Sequence, residues 1–103
     1  MAWQCLEYRE HIQVKRCLIC DADPLSVCHH QSLDGDGKKG GLRPDTQLVP
    51  LCGKCHGAIH DGNYVYLHRQ GWNPKTWKAQ AAVAMIRYLS EFIEAKAAWG
   101  GWR

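Results

Sequence analysis

The chain has 103 residues, with 13 Lys and Arg against 10 Asp and Glu and a formal net charge of +3. A domain of that length buries a limited core, and small domains often add a disulfide or a structural metal to it. No apolar run approaches the ~18 residues of a membrane span, and the polar start MAWQCLEYREHIQVKR carries no secretory signal. The six cysteines therefore read as metal ligands of an intracellular, cytoplasmic protein rather than as a disulfide framework. The mild positive excess permits an anionic partner without requiring one.

In chain order, Ile12 and Val14, flanked by His11, Gln13 and Lys15, predict a short strand in HIQVKR. Residues 17–20 (CLIC) form a tight knuckle, and residues 25–30 (LSVCHH) have the composition of a short strand. Residues 32–46 (SLDGDGKKGGLRPDT) hold four glycines, a proline and three aspartates and read as loop. Residues 48–51 (LVPL) predict a strand that Pro50 confines to an edge or a bulge. Residues 53–60 (GKCHGAIH) predict two helical turns ended at Asp61-Gly62, with Gly62 as a left-handed cap. NYVYLH reads as a further strand. Asn73-Pro74 starts a helix, Asn as N-cap and Pro at its first position. From there Trp77, Ala81, Ala84 or Met85, Tyr88 or Leu89, Phe92 and Ala95 recur at helical spacing to about Trp99, where Gly100-Gly101 ends the helix. Such a stripe is core or a docking face, not a reactive site.

Cys17-x2-Cys20 and Cys52-x2-Cys55 are two knuckles separated by 31 residues. A two-residue gap lets both sulfurs of a pair face one ion, and two pairs complete a closed tetrahedral cage for structural Zn²⁺. Cys5 and Cys28 fall outside it as small buried hydrophobes. A rival grouping joins Cys52, Cys55, His56 and His60 in a two-Cys, two-His site, but gives Cys17, Cys20, His29 and His30 no role. Adjacent strand residues point to opposite faces, so His29 and His30 diverge. Four apart on a helix, His56 and His60 share a face, as two ligands of one metal must. The pattern suggests one strand histidine joining the helix pair around an ion, with the other strand histidine free to act as a base. His11 and His68 read as structural.

Taken together, CLIC…VCHH…QLVPLCGKCHGAIHDG resembles the HNH endonuclease family in its zinc-binding, four-cysteine form, over residues 17 to about 62. The resemblance implies an α+β fold: a ββα-metal (HNH) core stapled by a four-Cys zinc site, with a long C-terminal helix. It implies one domain over residues 1–103, its core at about 12–62 and a C-terminal strand and helix at about 63–99. His30 would be the general base, and His29, His56 and His60 the ligands of one catalytic divalent cation (Mg²⁺, Mn²⁺, Ni²⁺, Co²⁺ or Zn²⁺). This three-His set looks like that of the bacterial colicin DNases. The family's central Asn, which orients the base, is replaced by Gln47, which offers the same donor and acceptor on a longer stem. Activity is therefore expected to survive at a reduced level.

The implied activity is metal-dependent hydrolysis of DNA phosphodiesters with low sequence specificity, leaving 5′-phosphate and 3′-hydroxyl ends. A neutral histidine with a pKa near 6.5 takes a proton from water at cellular pH, and a metal ion stabilises the phosphate as a Lewis acid. Three nitrogen ligands favour Zn²⁺, Ni²⁺ or Co²⁺ over Mg²⁺. Lys38, Lys39, Arg43 and Lys54 are candidate phosphate contacts, which Arg69, Lys75 and Lys78 would extend; such contacts carry no sequence information. Small HNH proteins of this kind occur in bacteriophage genomes near packaging genes, which suggests a terminase partner in an infected bacterial host, with the tail AAWGGWR (Trp99, Trp102) either a docking surface or a closure of the core. No membrane partner is expected. The alternative is a non-enzymatic zinc module that binds nucleic acid or protein on an HNH scaffold.

Overall fold

Two four-residue strands, β1 (Val27–His30) and β2 (Leu48–Leu51), pair antiparallel in the computed structural model of the chain. Val27 lies opposite Leu51, Cys28 opposite Pro50, His29 opposite Val49 and His30 opposite Leu48. The structure describes residues 3–32 and 43–98. Helix α1 (Leu6–Gln13) precedes the sheet, and a 3₁₀ turn (Asp45–Gln47) leads into β2. Helices α2 (Gly53–Asp61), α3 (Tyr64–Arg69) and α4 (Pro74–Ala98) follow. Among the described residues, no helix is long and apolar enough to cross a membrane.

Opposed residues of an antiparallel pair share a face, and successive residues alternate between faces. The sheet therefore sorts its side chains into two sets. Val49 and Leu51 belong to a cluster with Cys17, Cys55, Ala58, Leu67, Trp72, Trp77, Ala81 and Met85. Leu48 belongs to the other, with Tyr8, Ile12, Ala84, Tyr88 and Phe92. β2 is buried along its whole length, which is why it reads as an unbroken apolar run rather than an alternating one. Pro50 lacks a ladder donor, but its carbonyl accepts from Leu18 N–H at 2.9 Å and ties the first knuckle to the sheet. The register carries His29 to the face of Val49 and His30 to the face of Leu48.

The predicted helix starts and stops hold where a cap specifies them. Asn73 Oδ1 accepts from Lys75 N–H at 2.8 Å ahead of Pro74, and Gly62 ends α2 at φ 67°, a conformation glycine adopts without cost. Two expected strands are helices instead. HIQVKR overlaps α1, because Ile12 stands four residues after Tyr8 and both are fully buried in one cluster. NYVYLH lies in α3, where Asn63 Oδ1 caps Tyr66 N–H at 3.3 Å and Leu67 alone is fully buried in the core. The region after residue 63 is thus helical in both its elements. The expected stop at Gly100-Gly101, the tail tryptophans Trp99 and Trp102, and most of the predicted loop lie outside the described residues.

Candidate metal centres

The two knuckles converge. The ligand atoms of Cys17, Cys20, Cys52 and Cys55 all lie within 4.8 Å of one another, with Cys20 Sγ 3.6 Å from Cys52 Sγ. Zn–S bonds of ~2.3 Å in a tetrahedron put sulfurs ~3.8 Å apart, so the four thiols fit one metal ion. Each knuckle is shaped by an amide donating back to its first sulfur: Cys20 N–H to Cys17 Sγ at 3.5 Å, and Cys55 N–H to Cys52 Sγ at 3.4 Å. Asp21, at φ 60°, turns the chain so that its N–H reaches Cys17 O at 2.9 Å. The structure thus groups Cys52 and Cys55 with Cys17 and Cys20, and not with His56 and His60.

Burial pushes the Cys20 and Cys55 thiols up. Burial acts the same way on Cys17, but backbone N–H groups around it outweigh this and hold it at about 7. A metal arriving at this cluster therefore displaces protons. Tyr66, on α3, places its hydroxyl 3.5 Å from Cys55 Sγ. That contact pushes the Tyr66 phenol up, so it keeps an O–H to donate once the sulfur is a metal-bound thiolate. Removing such a support usually costs 10- to 100-fold in metal affinity. Tyr66→Phe is accordingly expected to lower zinc affinity about tenfold with the fold intact, read by competition with a chromophoric chelator.

The second group lies on the Val49 face. One ring nitrogen each of His29, His56 and His60 falls within 4.8 Å of the others, and His56 Nε2 is 3.2 Å from His60 Nε2. Metal–nitrogen bonds of ~2.0–2.1 Å give tetrahedral edges of ~3.3–3.4 Å, so the triad fits one divalent ion and leaves coordination positions open. His29 is 8% exposed; its burial, reinforced by His56 and His60, pushes its pKa down to about 4 against the opposing bond from Gln31. Burial, and His60 beside it, also lower His56. Both rings are neutral at pH 7, with lone pairs available to a metal. Gln31 Oε1 steadies the buried member: it lies 3.2 Å from His29 Nε2 and accepts Trp77 Nε1–H at 2.8 Å.

His30 points the other way. Its Nε2 donates to Asp45 Oδ1 at 3.0 Å. Asp45 is fully buried and also accepts Cys5 N–H at 2.7 Å, Arg9 Nε–H at 2.9 Å and Arg9 Nη2–H at 3.1 Å. Burial alone would raise its carboxyl, but the Arg9 fork, the Cys5 amide and His30 together hold it below the ordinary carboxylate range. Asp45, rather than Gln47, is the described side chain that hydrogen-bonds His30. Gln47 acts through its backbone, its carbonyl accepting Gln31 N–H at 2.9 Å, while its Oε1 is buried without a hydrogen-bond partner.

Sequence reasoning missed Arg9, Gln31, Asp45, Tyr66 and Trp77. Arg9 and Asp45 are 36 positions apart, and no local pattern joins them. Of the expected phosphate contacts, Lys38 and Lys39 lie outside the described residues, and Arg43 is half-buried. Lys54 is exposed beside a shallow depression of about 330 Å³ lined also by Gly53, Gly57, Ala58, Asp61 and Asn63. Arg69, Lys75 and Lys78 are exposed.

No curated protein and no solved structure matches the chain. A family model does match, over residues 1–87, a stretch that includes both metal-ligand groups, His30 and Asp45. The chain belongs to that family, described as Protein of unknown function (DUF968).

Proposed function

We propose that this chain is a metal-dependent DNA endonuclease of the HNH (ββα-metal) type, with His30 as general base. The observation that carries the reading is the division of labour at β1. His29 joins His56 and His60 on one face of the strand, while its neighbour His30 is held on the other by a buried carboxylate. A divalent ion on His29, His56 and His60 would supply Lewis-acid stabilisation of a phosphate oxygen and of the leaving 3′-oxygen. The three neutral nitrogens favour Zn²⁺, Ni²⁺ or Co²⁺ over Mg²⁺ for this second site. The four-Cys cluster has no open position and serves as the structural zinc site.

The chain's own contribution is orientation. Asp45 accepts the Nε2–H of His30, which leaves the lone pair on Nδ1 to take a proton from water. The negative charge of Asp45 then stabilises the imidazolium that forms. Arg9 keeps Asp45 ionised and fixed through a bidentate fork. Lys54 and Arg43 are proposed to contact the phosphate backbone, with no base readout.

The test is nicking of supercoiled plasmid by the zinc-loaded chain in EDTA and in Mg²⁺, Mn²⁺, Co²⁺, Ni²⁺ or added Zn²⁺. Cutting with a divalent ion and none in EDTA is expected. Absence of cutting with every ion, in protein that keeps its fold and one tightly held zinc, overturns the nuclease and favours a zinc module that binds without cutting.

A further inference from the structure

Gln31 follows His29 by two residues, and period two along an extended chain puts both on one face. The ladder runs on past β1 to hold it there, Gln31 N–H donating to Gln47 O at 2.9 Å. Three partners surround its side-chain amide. Trp77, in the first turn of α4, is buried and donates Nε1–H to Gln31 Oε1 at 2.8 Å. The same oxygen lies 3.2 Å from His29 Nε2. On the other side of the amide, Gln31 Nε2–H donates to Ser32 O at 2.9 Å.

These partners leave the amide one orientation. An indole N–H only donates, and a backbone carbonyl only accepts. Trp77 must therefore face Gln31 Oε1, and Ser32 O must face Gln31 Nε2. A flipped amide would set N–H against N–H at Trp77 and oxygen against oxygen at Ser32. With Oε1 so placed, His29 Nε2 meets an acceptor and has to carry the ring proton. A neutral imidazole has a single N–H, so the lone pair of His29 falls on Nδ1. The helix pair is set differently. His56 and His60 bring their Nε2 atoms to 3.2 Å of one another, close to the ~3.3–3.4 Å edge of a tetrahedral nitrogen site.

We propose that Gln31, locked by Trp77, is a positioning residue of the second metal site. It fixes His29 as the Nε2–H tautomer, so that this ligand offers Nδ1 to a divalent cation while His56 and His60 offer Nε2. The inference rests on the three-histidine site of the nuclease reading and is tested without DNA. Co²⁺ is titrated into the chain that already holds zinc in its thiolate cluster, and the visible spectrum of the ion reports its binding. Gln31→Met, similar in length but without the amide oxygen, is expected to lower Co²⁺ affinity about 10- to 100-fold. Trp77→Phe keeps a ring in the core, loses the N–H, and is expected to lower the affinity less. Gln31→Glu keeps an acceptor for both N–H groups and is expected to bind at least as tightly as wild type. A packing role alone would not separate Met from Glu. Circular dichroism and thiolate zinc content are expected to match wild type in each variant. Long-range ¹H–¹⁵N spectra of the labelled chain, before and after added Zn²⁺, identify the protonated nitrogen directly, expected to be Nε2 of His29 in both. A proton on His29 Nδ1, or a Gln31→Met chain that binds Co²⁺ as tightly as wild type, overturns the inference and leaves the metal site standing. Failure of the wild type to take a second ion overturns the inference and the nuclease reading together.

Discussion

Replacing His30 by alanine is expected to abolish metal-dependent nicking, and Asp45→Asn to lower its kcat by about 10²- to 10⁴-fold with little change in KM. The larger loss follows from removing the base itself. The smaller one follows from what an amide does in place of the buried carboxylate. Asp45 receives four donors, from Cys5, the Arg9 fork and His30. With its oxygen turned to the guanidinium, the Asn side chain presents N–H to His30 and forces the proton onto Nδ1, the nitrogen needed as base. The same carboxylate-to-amide change at a histidine partner in serine proteases costs about 10⁴ in kcat by this route. Nicking rates at saturating plasmid, with zinc content as control, distinguish the two variants. An Asp45→Asn protein that cuts at the wild-type rate would show that Asp45 does not orient the base.

The same substitution carries a stability signature with a defined sign. Because the carboxyl of Asp45 is held below its ordinary value, its ion pair stabilises the fold fully above pH ~4, the unfolded value. That contribution is lost as pH falls through the lower folded value. Breaking a buried pair costs about 3–5 kcal/mol. Arg9 retains 36% exposure of its side chain, so a loss of about 2–3 kcal/mol at pH 7 is expected. The Tm gap between wild type and Asp45→Asn, measured by circular dichroism, should narrow as pH is lowered from 7 to 3.

The parts of the structure written in short sequence intervals were legible, and those written across the chain were not. Two CxxC pairs define a four-thiol cluster because each pair fixes its own geometry, leaving one long-range closure. Period two in β1 separates His29 from His30, and period 3.6 in α2 joins His56 to His60. α4 declares its start through Asn73-Pro74 and its course through repeating apolar spacing. The misread segments are those where two periods compete over a few residues. In HIQVKR, β-branched residues alternate with polar ones, but Ile12 is buried with Tyr8, which stands just outside that window. In NYVYLH, aromatic alternation mimics a strand, and the Asn63 cap with the single anchor Leu67 decides for a helix. Asp45 sits in a glycine-rich run with two other aspartates, and only the approach of α1 singles it out. Gln31 likewise gains meaning only once α4 brings Trp77 to it.

Stripping the metal from the thiolate cluster, or replacing Cys55 by alanine, is expected to unfold the chain, whereas His56→Ala should leave its melting temperature within about 5 °C of wild type. Cys17 and Cys55 are part of the core that also holds Val49, Leu51, Leu67, Trp72 and Trp77, and the first knuckle lies more than thirty residues from the second in sequence. Metal binding to four thiolates is worth about 10–16 kcal/mol in small zinc domains, as much as the whole stability of an ordinary domain, about 5–15 kcal/mol. A chain of this length has little core to replace it, and at about 4–8 °C per kcal/mol the loss exceeds any plausible Tm. The histidine triad is different in kind. His60 is exposed and His56 half-buried, and the triad joins β1 to α2, which the sheet and the thiolate cluster already hold together. Thermal melts of Cys55→Ala and His56→Ala, with metal content measured on each, separate a site that builds the fold from one that the fold carries. A cooperative melt for Cys55→Ala at the wild-type temperature would mean that the thiol cluster does not staple this domain.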